Sequence, residues 1–111
     1  MQMQQDRLEK TVITPGNGEQ AATGRKAFVH YTGFFPDGRV FDSSVQRGQP
    51  FSFVVGAGQV IKGWDLVVAS MKVGEKCRTV CPPQFAYGAQ GVGPIPPNAT
   101  LIFDIELLAL Q

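Results

Sequence analysis

The sequence predicts an α+β domain in which an antiparallel sheet wraps one short helix. Three observations predict it. Thirteen glycines and eight prolines break the chain into short apolar segments, the pattern of a strand-rich domain with long loops. Only one segment, Ile61 to Met71, carries its apolar residues at helical spacing. Strands and helices do not alternate regularly, which argues against a parallel sheet built from βαβ units.

The elements follow in order. Leu8 to Thr14 reads as a first strand, ended by the turn Pro15-Gly16-Asn17-Gly18. Lys26 to Phe35 reads as a second, and Pro36-Asp37-Gly38-Arg39 turns it into a returning arm over Val40 to Ser44. Phe51, Phe53 and Val55 alternate with Ser52 and Val54, giving a strand with an aromatic face that Gly56-Ala57-Gly58 terminates. In the helical segment Ile61, Trp64, Val68 and Met71 share one stripe, and Val73-Gly74 is expected to close it. Lys76 to Cys81 alternates as a strand, with Cys77, Thr79 and Cys81 facing inward. Pro82 to Asn98 is too rich in glycine and proline for regular structure, and loops of that length are usually functional. In the last strand Leu101, Phe103, Ile105 and Leu107 share the buried face, with Asp104 and Glu106 opposite.

Composition narrows the function. A chain of 111 residues is one domain, able to bury roughly two thirds of its unfolded surface without a metal or disulfide. Residues 1–7 read as a flexible extension and 8–111 as the domain. Ten Lys and Arg against nine Asp and Glu leave a net charge of +1, too little basic excess for a nucleic-acid partner. No signal-peptide core or membrane span is evident, so a cytoplasmic protein without a membrane partner is expected, with the nucleus as a second location. Cys77 and Cys81 on one strand would lie about 13 Å apart, too far for a disulfide. With His30 as the sole histidine, they make an improbable metal site. The sequon Asn98-Ala99-Thr100 would matter only in a secreted chain. Gly56-Ala57-Gly58 lacks the spacing of a dinucleotide loop, because the next glycine is Gly63. The lack of any heptad and the balanced charge suggest a monomer.

Trp64, the only tryptophan, taken alone is more readily the largest core residue than the floor of a pocket. Four strings change that balance: Val29-His30-Tyr31-Thr32-Gly33, Gly38-Arg39-Val40-Phe41-Asp42-Ser43-Ser44, Gln59-Val60-Ile61-Lys62-Gly63-Trp64, and Phe85-Ala86-Tyr87-Gly88 with Pro96-Pro97-Asn98-Ala99-Thr100-Leu101. Together, in order from about residue 8 to residue 110, they closely resemble the FKBP-type peptidyl-prolyl cis-trans isomerases, the immunophilins that bind tacrolimus and rapamycin. The resemblance implies a five- or six-stranded twisted antiparallel sheet curled around one helix, with a shallow apolar pocket between them. It implies a pocket formed by Tyr31, Phe41, Asp42, Phe51, Val60, Ile61, Trp64, Tyr87, Ile95 and Phe103. Of these, Tyr31, Phe41, Asp42, Trp64, Tyr87 and Phe103 would serve catalysis. Trp64 would be the floor, Phe41 and Phe103 the walls, and the Ile61 N–H and the Tyr87 hydroxyl donors to a ligand. Arg47 would join Asp42 and Tyr31 in a polar cluster at the edge. No cofactor or metal is implied. The implied partners are proline-containing peptides, unfolded proteins, the two drugs, and calcineurin as a candidate target of the drug complex.

The chemistry is compatible with those roles. Twisting an X-Pro amide costs resonance, about 18 to 20 kcal/mol, and breaks no covalent bond. A dry aromatic slot with a few placed donors suits that task, and it also suits a module that recognises proline peptides without turning them over. Asp42 reads equally as an electrostatic partner of the twisting carbonyl or as a structural acceptor for Tyr31, Arg47, Ser43 or Ser44. His30, opposite Tyr31 on its strand, reads as a surface or rim histidine. The chain departs from the family pattern between Gly88 and Pro96, which is one residue shorter than in the commonest small members. Val92 stands near a position where those members often have histidine, and Phe85 replaces the more usual tyrosine. The shortened loop bears on sequence preference and on partners of the drug complex, whereas the change at Phe85 is expected to be neutral.

Overall fold

The computed structural model describes residues 7–111, so most of the expected extension over residues 1–7 lies outside the described residues. Six strands form one antiparallel sheet: β1 (Glu9–Thr14), β2 (Lys26–Phe34), β3 (Val40–Ser43), β4 (Phe51–Val54), β5 (Lys76–Cys81) and β6 (Leu101–Leu110). The order across the sheet is β1-β5-β6-β2-β3, and β4 also pairs with β2. Because β3 runs along Thr32 to Phe34 and β4 along Lys26 to Val29, the two short strands divide one edge of β2 between them. Counting five or six strands is therefore a matter of how that divided edge is named.

Alternation along the strands sets the core. Ala27, Val29 and Tyr31 of β2, Cys77 and Cys81 of β5, and Leu101, Phe103, Ile105 and Leu107 of β6 are all buried. They pack with Trp64, Val67 and Val68 of the helix α2 (Lys62–Ala69) and with Met71 beyond it. On the other face Arg78 holds its register partner Asp104 through two bonds, of 2.7 and 3.0 Å. Both cysteines are free and buried, and burial pushes each thiol up to about 11, so neither is a nucleophile at neutral pH.

The helix is shorter than its apolar stripe predicts. It ends at Ala69 rather than at Val73-Gly74, because the Gln20 side chain donates to the carbonyls of Ala69 at 3.0 Å and Met71 at 3.2 Å. Met71 continues the buried stripe after the backbone has left the helix, and Ala21 N–H takes its carbonyl at 2.9 Å. A second, four-residue helix, α1 (Ser44–Arg47), was not expected. Ser43 caps it by accepting the Gln46 N–H at 3.2 Å, and Gly48, with φ of 70°, closes it. The long loop after β5 opens with a 3-10 turn at Pro83–Phe85.

Gly63, near the start of α2, lets the helix lie close against β5. A methyl group there would meet Cys81 Sγ at 2.7 Å and the Phe85 carbonyl oxygen at 3.1 Å. Helix propensity would gain at most about 1 kcal/mol from Gly63→Ala, whereas overpacking a closed core costs about 1 to 3 kcal/mol. A net loss of about 1 to 2 kcal/mol in urea unfolding is the expected outcome; equal or greater stability would show that the helix has room to move.

Candidate functional site

Trp64 enters the core from the first turn of α2, and only 4% of its surface is exposed. Four rings from three strands surround it. Tyr31 lies 4.8 Å away and Phe103 5.3 Å, both edge to face, with Phe51 at 5.8 Å and Phe53 at 5.9 Å. This geometry suits the quadrupoles of the rings and leaves the indole little freedom to tilt. Phe41 meets Phe103 edge to face at 5.7 Å, and Phe35 backs it at 5.0 Å.

Above Trp64 these rings leave a cavity of about 220 Å³. Tyr31, Phe41, Phe51, Trp64 and Phe103 supply its aromatic surface, while Asp42, Gln59, Val60, Ile61 and Tyr87 complete the lining. All of these but Gln59 are residues that the resemblance implied for the pocket. Ile95 is not among the lining residues. A reciprocal pair of bonds between Val92 and Ile95, at 2.8 and 3.0 Å, closes a tight turn, and Ile95 is buried in the core cluster instead. Arg47 also stays off the cavity wall and acts at its edge.

At that edge the Tyr31 hydroxyl donates to Asp42 Oδ2 at 2.5 Å, and Arg47 bonds the other carboxylate oxygen. A second Arg47 nitrogen donates to the Tyr31 hydroxyl oxygen at 3.1 Å. Burial alone would raise the Asp42 carboxyl, but the bonds from Tyr31 and Arg47 outweigh it and hold the group below its ordinary value. Asp42 is thus a fixed anion at neutral pH. Burial, and then the bond to Asp42, raise the Tyr31 phenol, while burial and the Asp42 charge raise that of Tyr87. Both hydroxyls therefore keep their protons and remain donors.

Three donors near the cavity are unspent. The Ile61 N–H, at the cap of α2, has no partner among the described residues, and neither has the Tyr87 hydroxyl. The Trp64 indole nitrogen is buried without a hydrogen bond. An unmet buried donor ordinarily costs about 1 to 3 kcal/mol, so an aromatic chosen only to fill a core would be better served by phenylalanine.

Two positions that the sequence reading did not assign shape the loop leading to Ile61. Asp65 accepts the N–H groups of Gly56 at 2.9 Å and Gly58 at 3.0 Å, both glycines having left-handed φ. Gln59, which also lines the cavity, accepts the Val54 N–H at 2.9 Å through its side-chain oxygen. The available signal was Gly56-Ala57-Gly58 seven residues before an acid in a first helical turn, a pair of turn amides that an anion can bridge. His30 is half-buried, with Nδ1 2.9 Å from Ser44 Oγ, and stands on the far side of β2 from the cavity. Phe85 lies under the Lys62 ammonium at 5.4 Å. Among the described residues no group of acids, cysteines and histidine could hold a metal ion.

Residues 17–108 match the family described as FKBP-type peptidyl-prolyl cis-trans isomerase. The chain is 52% identical over 105 residues to FK506-binding protein 1 of Dictyostelium discoideum, covering 94% of this chain and 98% of that one. It is also 52% identical over 110 residues to the peptidyl-prolyl cis-trans isomerase FKBP4 of Rattus norvegicus, covering 97% of this chain but only 24% of that much longer protein. The fold superposes on the crystal structure of AtFKBP13 with a TM-score of 0.90 and 38% identity, covering 94% of this chain and 93% of that one.

Gly33 makes room for the cavity wall. A Cβ there would stand 2.5 Å from Cζ of the Phe41 ring. Gly33→Ala is expected to cost about 1 to 3 kcal/mol and to abolish the NOEs between the Phe41 and Phe103 rings. Retention of both stability and ring contacts would mean that Phe41 is not confined.

Proposed function

The chain belongs to the FKBP-type peptidyl-prolyl cis-trans isomerases, and from that premise we propose that the cavity over Trp64 is where the X-Pro bond turns. The chain is an isomerase, and the observation that carries the assignment of its site is the pairing of an aromatic cavity with unspent donors beside it. The proline ring lies on the Trp64 indole between Phe41 and Phe103. The Ile61 N–H and the Tyr87 hydroxyl take ligand carbonyls. Seated there, the amide loses the water that stabilises its planar, charge-separated form.

Rotation needs no nucleophile, because no covalent bond breaks and the whole barrier is lost resonance. Asp42, held ionised by Tyr31 and Arg47, supplies a fixed negative field beside the carbonyl as it twists. That field needs no reorganisation, since both partners of Asp42 are already in place. The substrates are X-Pro bonds of unfolded or flexible chains, which the open cavity admits without a lid. Tacrolimus and rapamycin, as mimics of a proline ring, occupy the same cavity. A drug complex would meet calcineurin through Gln46 to Gln49 and through Ala89 to Ile95, where Val92 is exposed. We place the protein in the cytoplasm as a monomer.

The direct test is cis-trans exchange of an Ala-Leu-Pro-Phe-type peptide, followed by NMR or a coupled protease, with and without tacrolimus. Acceleration that one equivalent of drug abolishes is expected; acceleration that persists at drug saturation would move the reaction away from Trp64. Asp42→Val is expected to lower turnover about tenfold, in keeping with loss of a charged hydrogen-bonded group, while the far-ultraviolet spectrum stays unchanged. Unchanged kinetics in that folded variant would leave Asp42 a purely structural acceptor.

A further inference from the structure

The divided edge of β2 leaves a gap. On that edge β3 ends its pairing at Thr32 and β4 begins at Val29, so His30 and Tyr31 have no strand partner there. Tyr31 is buried, and a buried backbone amide without a partner is rare and costly. Beyond β3 the chain has left the sheet as α1.

One side chain fills the gap. Ser44, the first residue of α1 and wholly buried, accepts the Tyr31 N–H at 2.7 Å and donates toward the Tyr31 carbonyl oxygen at 3.3 Å. A single hydroxyl thereby does for Tyr31 what an opposing residue does in a continuous ladder. His30 Nδ1, 2.9 Å from the same oxygen, can take a proton from it or give one. Ser43 cannot substitute, because its hydroxyl is spent on the Gln46 N–H and lies 3.1 Å from Thr32 Oγ1.

The same helical turn reaches the other end of Tyr31. Arg47, three residues beyond Ser44, bonds the phenol oxygen and Asp42 together. The phenol also carries the closest ring contact of Trp64, at 4.8 Å. The backbone and the hydroxyl of Tyr31 are therefore gripped by one turn of α1, and the orientation of the phenol depends on both grips.

We infer that Ser44 is a positioning residue for the isomerase site: its hydroxyl replaces the missing strand partner of Tyr31 and so holds the phenol against Trp64 and Asp42. This rests on the reading that the Trp64 cavity is the isomerase site. A serine suits the task because the gap is closed on all sides, and alanine would fit it without bonding either backbone group.

A double-mutant cycle tests the inference, with Ser44→Ala, Tyr31→Phe and the pair assayed for kcat, KM and urea stability. Ser44→Ala is expected to lower kcat/KM about three- to tenfold, chiefly through kcat, and to change activity less than about twofold when Tyr31 is already phenylalanine. Its loss of stability should be alike in both backgrounds. An equal activity loss in both backgrounds, or a loss of stability alone, would overturn the inference. Should Ser44→Ala not fold, Ser44→Cys keeps the size with weaker hydrogen bonding and should show the same pattern at smaller amplitude. The NMR resonances of the Tyr31 ring give a readout independent of turnover: they move in Ser44→Ala if the phenol is positioned by Ser44, and unmoved resonances would contradict it. Tyr31 resonances that move in Ser44→Ala while kcat/KM is unchanged would instead fault the location of the catalytic site.

Discussion

The seating of Trp64 among Tyr31, Phe51, Phe53 and Phe103 is the interaction on which the rest of the molecule depends. The same indole closes the core from above α2 and floors the cavity from below. A core of this size is normally filled to the density of an organic crystal, so an open volume above one ring must be held by walls that cannot collapse into it. Edge-to-face contacts from three strands supply that stiffness. Each wall ring is braced in turn: Phe41 by Phe35 and Gly33, Tyr31 by Asp42 and Arg47, Phe51 by Phe53.

That requirement accounts for two irregularities of the sheet. A continuous strand along the whole edge of β2 would leave no exit for the chain that carries Arg47. Dividing the edge into β3 and β4 releases residues 44–50 to form α1 beside Tyr31. Between β4 and α2 the chain again leaves the sheet, and there Asp65 and Gln59 hold through its backbone the loop that leads to Ile61 at the cavity wall. The polar groups at the rim are fixed by side chains bonded to backbone, whereas the apolar floor is fixed by packing.

These two kinds of order differ in how far they can be read from sequence. Packing leaves a period: Leu101, Phe103, Ile105 and Leu107 alternate because alternate positions face the core, and β6 was legible for that reason. The stripe through Trp64, Val68 and Met71 gave α2 but not its end, since burial continues at Met71 after the helical hydrogen bonds stop. The helix α1 is too short to show a period, and only Ser43 followed three residues later by Gln46 marked its start. Gln59 and Asp65 act through loop amides whose directions follow from left-handed glycines, which composition cannot orient. Ile95 belonged to the expected pocket by resemblance, yet the turn closed with Val92 leaves it in the core. Most of the aromatic site was therefore visible in the chain, while its hydrogen-bonded frame was not.

The central claim is that a substrate proline ring rests on the Trp64 indole. Intermolecular NOEs from a proline-containing peptide, isotopically distinguished from the protein, locate that ring directly. Contacts from the proline ring protons to the Trp64 indole and to the Phe41 and Phe103 rings are the predicted result; contacts confined to another surface, with the indole protons silent, would contradict it.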